Sequence, residues 1–354
     1  MKKDPEPKLG SGKSRSKLTD VAALAGVSTS TVSLVLAGKG EANRISEETH
    51  RRVHEAAATL NYAPSLLHRS VRRGRTNILS FYNSFRNRYA GDLYMDRISA
   101  AVEHAGGQHR YNVLVHCHFE QTVQETYEFL NGGFADGLIL FAPTPDEPLL
   151  PLLRRSGLPT VIVNPRGPEE VLSTVEDDAQ HGMRLVAESL IQNGHRRIAI
   201  VTRHYPGWPD SQRREEFLRG WLAEFGVPEQ NVHTIIERTQ TPDEHDRVLA
   251  EFLDLPERPT ALFVWNDRTA YDLLDTCLRA GIDVPGELSI VGYDGIAWPT
   301  TTGHIVSSVR APFEDLADAA VVALDRQIRG DPGPFHIQVP GTSSSGTTLA
   351  PAAL

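Results

Sequence analysis

The sequence predicts an all-α helix-turn-helix head followed by an α/β body of two doubly wound parallel-sheet subdomains. Three observations predict it. Between residues 18 and 60, apolar residues recur at helical spacing in three short stretches, broken by a glycine turn and a serine cap. From Thr76 onward, short apolar runs alternate with amphipathic stretches, the pattern of buried parallel strands covered by helices on both faces. Charge divides the same way: residues 1–75 hold 14 Lys and Arg against 7 Asp and Glu, and the remainder holds 22 against 38. A basic head on an acidic body indicates that only the head meets a polyanion. At 354 residues the chain is too long for one ordinary domain.

Residues 1–16 are rich in Lys, Gly and Ser without an apolar stretch, and read as a disordered arm, not a secretory leader. The head then spans 17–64. Val21, Leu24 and Ala25 form one apolar stripe, Gly26 suits the left-handed residue that ends a helix, and Val27 turns back inward. Ser28 is a good N-cap for a second helix whose inward stripe is Val32, Val35 and Leu36. Ser46 caps a third helix with Glu47 and Glu48 in its first turn and Val53, Ala56, Ala57 and Leu60 along one face, while Arg51 and Arg52 add positive charge. Two short helices joined by such a turn place the second in a major groove. Its outward residues Thr29, Ser30 and Ser33 are small polar groups suited to base edges and phosphates. Residues 65–75, with Arg69, Arg72, Arg73 and Arg75, form a basic hinge suited to phosphate contact.

The body spans 76–340. Strands are expected at Ile78–Tyr82, Val113–Cys117, Gly137–Phe141, Thr160–Val163, Ile198–Val201, Ala261–Trp265, Leu288–Gly292 and Ser307–Val309. Helices are expected at about 95–106, 120–131, 146–156, 179–194, 211–226, 243–254, 268–281 and 313–329. One subdomain should hold about 76–174 plus 305–328, the other about 175–304 plus 329–340, leaving 341–354 as a tail. In such sheets ligands sit beyond the carboxyl ends of the strands, here in the cleft between subdomains. Asn164, Asn266 and Asp294 follow strands and face that cleft, where amide and carboxylate groups match vicinal hydroxyls, the need of a sugar site. Trp265, Trp208, Trp298, Phe81 and Tyr82 lie beside strand ends and could stack on a pyranose face.

Other classes find little support. Cys117 and Cys277 form no CxxC pair and read as reduced cytosolic thiols, without a zinc site. His116 and His118 flank Cys117, but ordinary strand-end histidines are the better reading. There is no nucleophile motif, HExxH, Walker loop or GxGxxG, so neither an enzyme nor a cofactor is expected. No run of about 18 apolar residues is present to span a membrane.

The words Asp20-Val21-Ala22, Ala25-Gly26-Val27-Ser28, Thr31-Val32-Ser33, Ile45-Ser46 and Leu60-Asn61-Tyr62-Ala63-Pro64 closely resemble the lactose-repressor (LacI) family. In the body, Asp136-Gly137-Leu138-Ile139, Gly194-His195-Arg196-Arg197-Ile198-Ala199, Asn266-Asp267, Val284-Pro285, Leu288 to Asp294, and Ser308-Val309-Arg310 extend the resemblance from about residue 17 to 340. It implies a cytoplasmic transcription repressor with a periplasmic-binding-protein-like body, binding a roughly palindromic double-stranded DNA operator as a homodimer under control of a small-molecule effector, here read as a carbohydrate. Thr29 and Ser30 then occupy the main base-reading positions, supported by Thr19, Ser28, Thr31, Ser33, Leu34 and Tyr62. The family usually has Arg where this chain has Leu34, and its hinge Asn, Ala and minor-groove Leu correspond to Ser65, His68 and Val71, beside Arg69 and Arg72. The resemblance also assigns effector contact to Asn266, Asp294 and an Arg on the helix after the second subdomain's first strand, read as Arg213, with Asn164, Trp265 and Tyr82 completing the site. Asn164 stands where the family often has Asp, and 80–94 departs most from its pattern. A periplasmic-type solute-binding protein shares the body fold but lacks a basic head; a regulator whose body has lost its effector is the other alternative.

Overall fold

The computed structural model describes residues 16–63, 74–83, 92–116, 121–204 and 209–352. They fall in two compact units that meet at residues 76 and 77. The hinge residues Ser65, His68, Arg69, Val71 and Arg72, together with Trp208, Cys117 and His118, lie outside the described residues.

The first unit holds α1 (Leu18–Ala25), α2 (Thr29–Leu36) and α3 (Glu47–Thr59). Its core is Val21, Ala22, Ala25, Val32, Val35, Val53, Ala56 and Ala57, with Leu36, Leu60 and Tyr62 packed against it. Gly26 ends α1 at φ 64°, the left-handed conformation that L side chains avoid, and its N–H returns to the α1 carbonyls. Ser28 caps α2 by accepting from Thr31 N at 3.1 Å, and Ser46 caps α3 by accepting from Thr49 N at 3.3 Å. The axes of α1 and α2 differ by 102°, within the range of a helix-turn-helix. Two expectations change here. Leu24 is 55% exposed, because Val21, Ala22 and Ala25 make up the inward face. Arg51 is paired with Glu48 and Glu55, whereas Arg52 keeps its positive charge while donating to the carbonyls of Ala25 and Gly26, closing the end of α1.

The second unit carries β1 (Ile78–Asn83), α4 (Leu93–Gln108), β2 (Asn112–His116), α5 (Val123–Leu130), β3 (Gly137–Phe141), α6 (Leu150–Leu153), β4 (Thr160–Val163) and β5 (Ser173–Asp177). Next come α7 (Ala179–Gln192), β6 (Ile198–Thr202), α8 (Asp210–Glu224), β7 (Val232–Ile236), α9 (Pro242–Leu253), β8 (Ala261–Val264), α10 (Asp267–Arg279) and β9 (Ser289–Val291). It closes with β10 (Ser308–Arg310), α11 (Phe313–Ile328), β11 (His336–Val339) and β12 (Thr342–Ser344). One sheet has the order β11-β5-β4-β3-β1-β2 and the other β7-β6-β8-β9, and their pairings are parallel. Both orders reverse direction beside the first strand, at β1/β3 and β6/β8, which opens a crevice at the carboxyl ends. Each sheet is covered twice. Leu79, Phe81, Ile139 and Val161 meet α4 and α11 on one side of the first sheet, and Leu138, Leu140 and Ile162 meet α5 and α6 on the other. In the second sheet Ala199, Val201 and Leu262 face α9 and α10, whereas Ile198, Ile200 and Phe263 face α7 and α8.

The subdomain boundaries need correction. β5 and β11 pair with each other inside the first sheet, so 175–177 and 336–339 belong there and not with the second subdomain. Residues 341–352 are no loose tail: β12 pairs with β10, Ile290 N donates to Thr348 O at 2.7 Å, and buried His195 contacts Ala350 O at 3.0 Å. These contacts satisfy the exposed edge of β9, which would otherwise present unpaired amides.

Candidate functional site

A cleft of about 640 Å³ opens in the body at the carboxyl ends of both sheets. From the first sheet come Asn164 and Arg166 after β4 and Asp177 at the end of β5. From the second come Arg203 after β6, Gln240 after β7, Trp265 and Asn266 after β8, and Asp294 after β9. Arg213 and Arg214 reach it from α8, and Tyr94 and Trp298 add aromatic wall.

Its centre is a buried charge cluster. Arg214 lies 3.6 Å from Asp294, stacks 3.8 Å over the Tyr293 ring and donates to Trp265 O at 2.7 Å. The guanidinium plane suits all three partners at once. Burial pushes the Asp294 carboxyl up to about 7, reinforced by Asp177 and Asp210 and opposed by Arg214. Burial also raises Asp177, whose Oδ2 accepts from Tyr293 Oη at 2.7 Å. Asp267, behind the cleft, is raised by burial and by Asp294, and accepts from Ser308 Oγ at 2.7 Å and Ile296 N at 2.6 Å. Across the cleft Arg166 pairs with Asp210 at 3.3 Å; burial pulls its guanidinium down, against Asp210. Asn164 and Asp294 have φ of 50° and 106°, a costly backbone for non-glycine residues that such sites often hold.

Asn164, Trp265, Asn266 and Asp294 thus come together in one cleft. Their side chains are partly committed: Asn164 Oδ1 accepts from Asp177 N at 2.8 Å, and Asn266 Oδ1 caps α10 by accepting from Thr269 N at 2.8 Å. Two expectations shift. Arg213 does line the cleft, but its neighbour Arg214 makes the buried contacts, because adjacent helical residues point about 100° apart. Tyr82 is not a cleft residue: it is buried against Leu138, Leu140 and Leu130 under the far face of the first sheet, stacked on His116. Phe81 is fully buried on the opposite face. Asp177, Arg166 and Tyr94 were not singled out: β5 carries too few aliphatic residues to announce a strand, Arg166 stands three residues past β4 with no motif of its own, and Tyr94 is the last residue of the divergent 80–94 segment, at the start of α4.

In the head, Thr19, Ser28, Thr29 and Ser30 are exposed and Thr31, Ser33, Leu34 and Tyr62 half-buried. Ser28 and Thr31 share a 2.9 Å hydroxyl contact within the cap, leaving Thr29 and Ser30 as the open polar residues of the first turn of α2. No group of His, Cys, Asp and Glu suited to a metal ion occurs among the described residues. Among them, too, no single helix is long and apolar enough to cross a membrane.

A helix-turn-helix unit on the same chain as a cleft between two doubly wound sheets defines a DNA-binding regulator with an effector-binding body. Residues 17–65 match the family model for bacterial regulatory proteins of the lacI family, and residues 187–345 match the periplasmic binding protein-like domain. The chain belongs to the LacI family of transcriptional regulators. It is 29% identical over 320 residues to the HTH-type transcriptional repressor PurR of Photobacterium profundum, covering 88% of this chain and 92% of that protein. PurR of Actinobacillus pleuropneumoniae serotype 3 is 27% identical over 81% of this chain and 85% of its own length. Among solved structures, the lac repressor dimer bound to operator and the anti-inducer ONPF shares the fold, with a TM-score of 0.77 at 20% identity over 95% of this chain and 99% of that one. The transcriptional regulator CelR in complex with cellobiose aligns with a TM-score of 0.65 at 26% identity, over 95% of this chain and 100% of that one.

Proposed function

We propose that this chain is a repressor that binds a roughly palindromic operator as a homodimer, reads bases through Thr29 and Ser30, and is controlled by a carbohydrate in the body cleft. The effector-facing set is Asn164, Arg213, Arg214, Trp265, Asn266 and Asp294. The observation that carries the ligand class is the Arg214–Asp294 pair beside Trp265 and Trp298. Five arginines meet six carboxylates around this cleft, so its charges nearly cancel and favour a neutral, polar ligand. Paired carboxylate and guanidinium groups accept from and donate to adjacent hydroxyls, and tryptophan faces stack on a sugar ring. CelR, the similar regulator of known structure, holds cellobiose.

The aromatic walls alone would also suit a flat heterocycle. Thermal-shift and calorimetric titration of the full chain with cellobiose, other di- and monosaccharides, and nucleobases separates the two. Saturable binding of a saccharide that alters operator affinity is expected; binding of nucleobases only would replace the carbohydrate reading, and no ligand at all would favour a regulator without an effector. Selection of bound DNA from random oligonucleotides is expected to return a two-fold symmetric site.

A further inference from the structure

One buried carboxylate is not part of the cleft wall, yet two wall residues hang on it. Glu237 follows β7, and its side chain is wholly inaccessible to solvent. Its Oε2 accepts from the indole Nε1 of Trp265 at 2.9 Å. Its Oε1 accepts from Thr269 Oγ1 at 3.2 Å and lies 3.3 Å from His245 Nε2. Thr269 in turn accepts from Gln240 Nε2 at 3.3 Å, and Gln240 lines the cleft beside Trp265. Burying a carboxylate is expensive even when it is fully hydrogen-bonded, and an apolar residue of the same volume would often serve stability as well. A carboxylate kept at this position therefore calls for a role other than stability.

We propose that Glu237 is a positioning residue for effector recognition, fixing the indole of Trp265 and, through Thr269, the amide of Gln240 in the orientation the effector meets. This rests on the cleft being the effector site. Trp265 is gripped at two points: Arg214 holds its carbonyl and Glu237 holds its ring nitrogen. A tryptophan so held presents one ring face without paying to order it on binding, which is the advantage of preorganisation. Release of the ring nitrogen leaves the indole free to change rotamer while the backbone stays in place.

The test uses the full chain labelled with 5-fluorotryptophan, the Trp265 fluorine resonance being assigned from its loss in Trp265→Phe. Wild type and Glu237→Gln, which keeps an acceptor for the indole, are expected to give one sharp Trp265 resonance. Glu237→Met, near in volume but without an acceptor, is expected to broaden or split it, and to weaken cellobiose binding by roughly tenfold, as for a lost buried hydrogen bond. Glu237→Asp draws the carboxylate back by one methylene and decides the question if the Met variant does not fold; it should show the same change to a smaller degree. A single unshifted Trp265 resonance in the Met variant, or in the Asp variant where Met does not fold, overturns the proposal. If cellobiose does not bind the wild type, the carbohydrate reading fails on its own and the resonance comparison still decides the role of Glu237.

Discussion

Tyr293 donates its hydroxyl to Asp177 at 2.7 Å, joining the chain just beyond β9 of one body sheet to the end of β5 in the other. Among the described residues, Asp177 Oδ1 is buried without a hydrogen-bond partner, so the tyrosine is the one side-chain donor to this carboxylate. Tyr293→Phe should therefore lower stability by about 1–3 kcal/mol, the cost of leaving a buried acceptor unmade, read as a lower midpoint in urea with unchanged slope.

Gly182 of α7 sits against the same tyrosine. A Cβ placed there would lie 2.5 Å from Tyr293 Oη. Alanine in a helix interior normally gains about 1 kcal/mol over glycine, but Tyr293 is fully buried and has no room to retreat. Overpacking of this kind costs about 1–3 kcal/mol and should win, so Gly182→Ala is expected to lower the melting temperature in differential scanning calorimetry.

Asp294 shapes the acid side of the stability profile. Its carboxyl is raised from an ordinary 3.8 to about 7 in the folded chain, chiefly by burial. Between those values the folded protein keeps a proton that the unfolded chain has released, so this group's contribution to stability falls as pH rises from 4 to 7. Asp294→Asn should flatten that decline by a few kcal/mol at most, measured as the difference between urea-derived stabilities at about pH 4.5 and about pH 7. An unchanged slope would show that Asp294 titrates normally.

Leu34 is half-buried on α2 and can offer a base only apolar contact. Leu34→Arg supplies a fork that pairs with guanine O6 and N7, so DNA selected by this variant should gain a guanine at one position of each half-site. Ser30→Ala should relax base preference at another position while leaving the remainder of the site unchanged.

The strands built almost wholly of apolar residues were legible to the residue: Gly137–Phe141 and Thr160–Val163 are buried throughout, as suits runs in a sheet interior. Ser173–Asp177 and Val232–Ile236 were not. The former ends in Glu176 and Asp177, which line the cleft, so the polar groups of the site erase the pattern of the strand that carries them. The latter is an edge strand in which only Val232 and Ile235 are buried and Ile236 is exposed. The head was readable because its caps and left-handed glycine are local signals, whereas Leu24 was misplaced since Ala22 and Leu24 fit a short stripe about equally well. For the cleft, position after a strand found Asn164, Trp265, Asn266 and Asp294. The choice between Arg213 and Arg214 depends on helix rotation, and Tyr82 on which face of a sheet is covered; neither is written in residue type.

The chain passes between the two body sheets after β5, again between β9 and α11, and a third time between β11 and β12. Each lobe is therefore made of separate stretches of chain, and no single cut yields a complete copy of either. A protease nick in a surface loop would leave both fragments interlocked, and a truncation that spared the first 340 residues would still strip the strand that seals β10 and the segment lying along β9. For anyone dividing this regulator into modules, the workable seam is between head and body; within the body, the two lobes must be made, kept and destroyed together.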